Sequence, residues 1–475
     1  MRELTIPLDL SSKIALYEQI YNYIKHDIID GKISTGEKLP STRFLAKHLQ
    51  VSRSTVDMAY EQLLSEGYVK AVPGSGYFVC DIALEFLDIS GNVALYAKTE
   101  GEMEVKPEIE TKEKIFQYDF SPNAIEWSDF SMTAWRKATK SMLQDEMEEL
   151  FLSGDAMGEE NLRRTICDYL HQARGVNCNL TQIVIGAGNE YLLMLLYQML
   201  GAGKQVAMES PTYRQAYQIF KNLGWNVSSI PMDDSGMMLA ELQRSKAQLA
   251  YIMPSHQFPL GNVMPMKRRM ELLQWAREGE GRYVIEDDYD SEFRYKGKPI
   301  PSLQGSDGAG KVIYLGTFSK SIAPAIRVSY MVLPKDLLNV YHQRCGFYSS
   351  TVSRIQQQTL YYFMKSGCFE RHLNKMRGIY RVRHDVLLNE LKGKVWVKRI
   401  YGENAGLHIL VEVKTDKSES EIIEDAKERG IRVYGLQEYS IEEEEEQRPT
   451  LLLGYAGLTE PEIVKGVEIL DNILK

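Results

Sequence analysis

From residue 116 onward, short β-rich apolar runs alternate with helical stretches, and few architectures accept that alternation. The runs are Ile183–Ile185, Gln205–Met208, Leu249–Met253, Tyr283–Ile285, Val312–Leu315 and Val328–Val332. Strands separated by helices predict an α/β fold with a mostly parallel sheet covered by helices. Ligands of such sheets bind outside the carboxyl ends of the strands, so the residues that close each run are the first candidates for a site.

Two of those ends carry chemistry. Tyr314-Leu315-Gly316-Thr317-Phe318-Ser319-Lys320 finishes a strand in a small-residue turn bearing one lysine, with Arg327 seven residues on. About thirty residues upstream, Tyr283-Val284-Ile285-Glu286-Asp287-Asp288-Tyr289 ends in carboxylates and a phenol. A lysine amine forms Schiff bases with aldehydes, and pyridoxal phosphate enzymes pair that lysine with an acid against the ring nitrogen. An opposite charge favours the protonated ring. Asp287 is assigned to that nitrogen and Tyr289 to the ring hydroxyl. Alone, the acids suit a capped turn and Lys320 is one of 56 basic residues; in this order and spacing, the cofactor reading is the stronger.

Two further segments fit the same pocket. Gly186-Ala187-Gly188-Asn189 lies between a strand and a helical run, where bare N–H groups and the helix dipole attract phosphate. Glu209-Ser210-Pro211-Thr212-Tyr213 follows another strand, and Tyr213 is placed flat on the pyridine ring.

The first 80 residues follow a different logic. Ile14 to Ile29 has helical apolar spacing, Ser41 caps a short helix Thr42–Leu49, and Val51–Thr55 turns into a second helix that Gly67 ends. Tyr68–Val72 and Tyr77–Val79 flank a glycine-rich tip, which predicts a hairpin. The sum is a winged helix-turn-helix, whose second helix lies in the major groove. Ser52, Arg53, Ser54 and Thr55 are expected near base edges, Arg43 and Lys47 near phosphates, and Gly76 where the wing meets the duplex. Net charge is −9, but basic and acidic residues balance within residues 1–80, and Lys38–Val56 holds four cations and no acid. A phosphate backbone senses that local stretch.

Residues 81–115 are charge-rich and poor in aromatics, which predicts a linker, extended and partly helical around Leu84–Leu95. The acidic run Glu442–Glu446 is expected to be a solvated loop. No apolar run approaches the roughly 18 residues a membrane helix needs, and Met1–Thr5 has no signal-peptide character. Five scattered cysteines lack metal-ligand spacing, so no metal is expected, and a reducing cytoplasm is the expected location.

These motifs carry a resemblance. Residues 12–80, with Lys38-Leu39-Pro40-Ser41-Thr42-Arg43 and Val51-Ser52-Arg53-Ser54-Thr55-Val56, resemble GntR-type winged-helix repressors. The remainder, from about 116, resembles fold-type I aminotransferases. Their fusion resembles the MocR subfamily of bacterial transcription regulators. The resemblance implies a pyridoxal phosphate cofactor bonded to Lys320 and paired with Asp287. It implies that Tyr289 contacts the ring oxygen and that Ala187, Gly188, Asn189, Thr317, Ser319 and Arg327 hold the phosphate. It also implies a homodimer, often domain-swapped in the family, on paired or direct-repeat sites in double-stranded operator DNA. A large part over about 150–345 and a small α+β part over about 346–475 are expected.

The departures matter. Phe258-Pro259-Leu260-Gly261 stands where aminotransferases of this fold carry Asn-Pro-Thr-Gly, with His256 a candidate substitute for the asparagine. Leu452 occupies the usual place of the arginine that clamps a substrate carboxylate, and Ser153 that of a tyrosine. Leucine cannot replace a bidentate guanidinium. The favoured function is a DNA-binding regulator that senses pyridoxal phosphate, alone or with a small amino compound, and performs at most a half-transamination. The alternative is a working aminotransferase with an appended DNA-binding domain.

Overall fold

The computed structural model describes residues 6–81 and 116–475, apart from 10, 13, 127, 145–146, 296, 298 and 443–447. The expected linker therefore lies outside the described residues except at Asp81, and so does nearly all of the acidic run. The chain divides into two compact units, Met1–Glu113 and Lys114–Lys475. Among the described residues, no helix is long and apolar enough to cross a membrane.

The first unit holds helices α1 (Leu16–Ile29), α2 (Thr42–Leu49) and α3 (Arg53–Ser65), then the antiparallel hairpin β1 (Val69–Val72) and β2 (Gly76–Val79). The apolar stripe of α3 buries Val56, Ala59, Tyr60 and Leu63 against Ile20, Ile24 and Leu45. The Tyr60 hydroxyl donates to the Pro40 carbonyl at 2.9 Å, which fixes the start of α2 against α3. Ser41 and Ser52 cap the two helices through the amides of Phe44 (3.2 Å) and Thr55 (3.1 Å). Such a cap stabilises a helix by about 1 kcal/mol.

The second unit is built on an eight-stranded sheet in the order β4-β11-β10-β9-β8-β5-β6-β7. Its strands are β4 (Ile183–Gly186), β5 (Gln205–Ser210), β6 (Asn226–Asp233), β7 (Gly236–Met237), β8 (Leu249–Ile252), β9 (Tyr283–Asp288), β10 (Val312–Thr317) and β11 (Ser329–Val332). The central pairs β6–β5–β8–β9–β10 are parallel, while β11 runs antiparallel to both its neighbours. Strands β4, β8 and β9 are buried along their whole length, as sheets covered on both faces require.

The small lobe carries an antiparallel sheet, β12-β13-β16-β15, formed by Val397–Tyr401 (β12), His408–Val413 (β13), Thr450–Gly454 (β16) and Tyr434–Gly435 (β15). The structure draws the lobes differently from the expected division near 346. Tyr118–Asp119 (β3) pairs with Ile431–Arg432 (β14), and Tyr118 and Phe120 join the small-lobe core. Leu360 and Phe363, on the helix Arg354–Lys365, belong to a large-lobe core. The helix Cys368–Leu391 serves both, with Phe369 and Leu373 in one core and Met376, Tyr380 and Leu387 in the other. Local patterns name an apolar face but not which lobe covers it.

Candidate functional site

Strand β9 buries three consecutive carboxylates, a costly arrangement unless each finds a partner. Glu286 accepts from the amides of Leu303 and Gln304, both at 2.8 Å. Asp288 accepts from Arg174 Nε at 2.7 Å and from the Tyr314 hydroxyl at 2.5 Å. Among the described residues, the donors to Asp287 are neutral: the Asn189 side-chain amide at 3.1 Å and the Tyr251 hydroxyl. Burial pushes its carboxyl up to about 7. It faces a cavity of about 280 Å³, small for a ligand pocket but sufficient for one cofactor-sized ring.

That cavity is where the predicted residues converge. Gly188, Asn189, Tyr213, Asp287, Tyr289, Thr317, Ser319, Lys320 and Arg327 all line it. They arrive from the carboxyl ends of β4, β5, β9 and β10 or the loops just beyond. The Lys320 amine contacts the Asn123 side-chain oxygen at 3.1 Å and the Pro122 carbonyl at 3.3 Å. Burial lowers its pKa to about 8. Thr317 Oγ1 accepts from the Ser319 amide at 3.1 Å and from Ser329 Oγ at 2.9 Å, so the turn before Lys320 is braced.

Gly188 sits at φ +94° just before the helix Asn189–Leu200. That left-handed backbone favours glycine, and the side-chain ends of Arg327 and Glu190 close over it, each 2.4 Å from where a Cβ would stand. Arg327 donates to Glu190 at 2.8 Å and to the Ala187 carbonyl at 3.1 Å. The Ala187 amide donates to Thr351 Oγ1 at 3.0 Å, and Ala187 is not among the cavity-lining residues.

Tyr213 stands edge-on to Phe258, with ring centroids 6.0 Å apart. Phe258 packs among aromatic rings, including Tyr289 and Tyr439. His256 does not replace the missing asparagine at the cavity wall. Its Nδ1 faces Asp290 at 2.9 Å and the Tyr289 hydroxyl at 2.9 Å, so it reaches the cavity only through Tyr289. Leu452 is fully buried in β16, opposite Leu410 and Tyr434. Lys320 and Arg327 are the cations among the described lining residues, and Ser153 is exposed and outside the lining.

In the first unit, Arg53 is exposed at the start of α3 and loosely paired with Asp57 at 3.4 Å. Ser54 Oγ and Thr55 Oγ1 lie 2.8 and 2.7 Å from Ser52 Oγ, so Ser52 is committed to the helix cap. Arg43 and Lys47 are exposed on α2. Gly76 opens β2 at φ +118°, and Lys38 Cε lies 3.3 Å from where its Cβ would stand. That backbone conformation favours glycine, and Gly76 pairs with Val72 where the wing's turn closes.

Sequence reasoning missed Asn123, Glu190, Tyr251 and Thr351. It also missed that Cys167, His171 and Cys178 come together, their ligating atoms all within 4.8 Å.

Residues 16–79 match the model of bacterial regulatory proteins of the gntR family, and residues 119–470 match aminotransferase class I and II. The chain is 39% identical over the whole of both chains to the uncharacterized HTH-type transcriptional regulator YdeL of Bacillus subtilis (strain 168). The chain belongs to the MocR subfamily of GntR-type transcription regulators. It is 30% identical, over 92% of each chain, to the HTH-type pyridoxine biosynthesis transcriptional regulator PdxR of Corynebacterium glutamicum. Among solved structures, LysN, the α-aminoadipate aminotransferase of Thermus thermophilus complexed with N-(5'-phosphopyridoxyl)-L-leucine, matches with a TM-score of 0.66 and 25% identity. That match covers 76% of this chain and 92% of LysN. A gntR-type helix-turn-helix is a DNA-binding module, and class I and II aminotransferases use pyridoxal phosphate. This MocR-subfamily chain therefore joins a DNA-binding unit to an aminotransferase-like fold.

Proposed function

We propose that this protein is a transcription regulator whose second unit binds pyridoxal 5'-phosphate on Lys320 and reports that occupancy as a change in operator affinity. The observation that carries the reading is a single cavity holding Lys320, Asp287 and Arg327, with leucine where a substrate-carboxylate arginine would stand. The donor set fits the cofactor. Asp287 is a buried acid whose donors among the described residues are neutral, and a protonated ring nitrogen against it would favour the ionised carboxylate. The Gly188–Asn189 amides open a helix at a backbone turn that favours glycine, a surface suited to phosphate, with Ser319, Thr317 and Arg327 beside it. When bound, pyridoxal phosphate supplies an aldehyde and an electron-withdrawing ring. Lys320 would provide the amine with Asn123 to orient it, and Tyr289, steadied by His256, would serve the ring oxygen.

The name of PdxR ties that relative to pyridoxine biosynthesis. By the same chemistry, the cofactor itself is our principal effector, with a small amino compound able to join it at Lys320. A homodimer on paired sites in double-stranded DNA completes the reading, and the protein works in the cytoplasm. The test is operator titration of full-length protein with and without pyridoxal phosphate. Affinity should shift with cofactor and stay unshifted in Lys320→Ala. Sustained turnover of an amino acid with a keto acid would instead establish the aminotransferase reading.

Glu190 makes a sharper prediction. Its carboxylate pairs with Arg327 at 2.8 Å beside the phosphate surface, so it competes with a phosphate for the same guanidinium. Removing one like charge and one half-exposed ion pair should tighten cofactor binding by about three- to tenfold in Glu190→Gln. Equilibrium dialysis would reveal it; unchanged or weaker binding would refute the competition.

A further inference from the structure

We infer that Cys167, His171 and Cys178 form a binding site for a thiophilic divalent cation, with zinc the ion their spacing fits. Cys167 and His171 lie one turn apart on the helix Glu160–Arg174, and Cys178 follows four residues after that helix ends. The two sulfurs are 3.8 Å apart, and Cys167 Sγ lies 3.8 Å from His171 Nε2. A tetrahedral ion with Zn–S of about 2.3 Å and Zn–N of about 2.0 Å has S···S and S···N edges of about 3.8 and 3.6 Å. The S···S edge has that length, the Cys167–His171 edge is about 0.2 Å longer, and all three atoms lie within 4.8 Å of one another.

Two other accounts of the cluster fare less well. A disulfide requires the sulfurs to close from 3.8 Å to about 2.05 Å. Two thiols packed as small apolar groups leave His171 holding the Cys178 carbonyl, at 2.7 Å, while its ring still lies beside both sulfurs. Both cysteines are buried, at 7% and 8% exposure, while His171 is exposed and gives an ion a route in from solvent.

Binding is balanced in protons. Each thiol releases one proton to solvent as its sulfur coordinates, so about two leave per ion. Nε2 of His171 lies 2.7 Å from the Cys178 carbonyl; the ring moves its proton to Nδ1 and turns its lone pair to the ion. Solvent fills the fourth position on the His171 side. The site would pin the helix to the segment entering β4, whose far end opens the phosphate loop. Cys167, Cys178, Ile183 and Ile185 share one core.

The test uses untagged, fully reduced, metal-stripped full-length protein. Zinc is titrated against a chromophoric chelator, and cobalt(II) is added in parallel. One ion per chain is expected, with the near-ultraviolet charge-transfer band of a cobalt thiolate and a raised melting temperature. His171→Ala, an exposed change that leaves the core intact, should weaken zinc binding by about tenfold or more. Cys178→Ser should abolish the sulfur band. The proposal is overturned if cobalt shows no thiolate band in the wild type, or if His171→Ala binds zinc as tightly as the wild type. Should Cys178→Ser fail to fold, the histidine variant alone decides.

Discussion

Lys320→Ala removes the borohydride-fixable bond between protein and pyridoxal phosphate and lowers cofactor affinity by at least about 100-fold, or about 2.8 kcal/mol. The contacts of Asp287, Gly188 and Arg327 stay, so weak binding persists, but it is no longer covalent. DNA binding by the first unit also persists, because α3 and its caps do not involve this lysine. Lys320 itself titrates near 8, lowered by burial. Only the neutral amine attacks an aldehyde, so the rate of bond formation in the wild type rises as pH passes upward through about 8. Absorbance of the bound cofactor followed over time checks both statements. A variant that binds the cofactor as tightly as the wild type, with the same spectrum, refutes them.

Arg53→Ala lowers specific operator affinity by about 10- to 100-fold, the loss of one good base contact of about 1–3 kcal/mol. Arg53 is exposed at the first turn of α3, the part of such a helix that meets base edges, and its pairing with Asp57 at 3.4 Å is loose. Ser52 differs. Its hydroxyl caps the helix through the Thr55 amide, so Ser52→Ala acts mainly through stability, by about 1 kcal/mol. The two variants are separated by melting curves and operator titrations at two salt concentrations. Arg53→Ala keeps its melting temperature and its cofactor binding. If its operator affinity is unchanged, the groove assignment of α3 fails.

The candidate cavity was legible in the sequence because its parts obey local rules. Apolar runs marked β4, β5, β8, β9, β10 and β11, and the chemistry stood at their carboxyl ends, where a parallel sheet places ligands. Strand β6 was not singled out, because Asn226–Asp233 is polar and only partly buried near the sheet edge. The residues that complete the cavity come from elsewhere. Asn123 follows the short strand β3 of the small lobe, far upstream of the lysine it contacts, and nothing in its neighbourhood is periodic. Tyr251 looks like one more strand residue until β8 and β9 pair and bring it to Asp287.

Charge pairing was equally hidden. Glu190 was only the first acid of a helix, and Arg327 was assigned to the phosphate with no partner, until the fold set the helix start beside the loop after β10. Ala187 was assigned to phosphate by its motif, yet its amide is taken by Thr351 from a distant loop. The cysteines were read without His171, and although Cys167, His171 and Cys178 span only twelve residues, it is the turn after the helix that brings the second sulfur back to the first. In each case the missing information was tertiary.

The most direct measurement is borohydride reduction of full-length protein with pyridoxal phosphate, followed by proteolysis and mass mapping. A single phosphopyridoxyl group per chain, on the peptide containing Lys320 and absent from Lys320→Ala, is the predicted result. Label spread over other lysines to the same extent in both proteins, or no label at all, would contradict it.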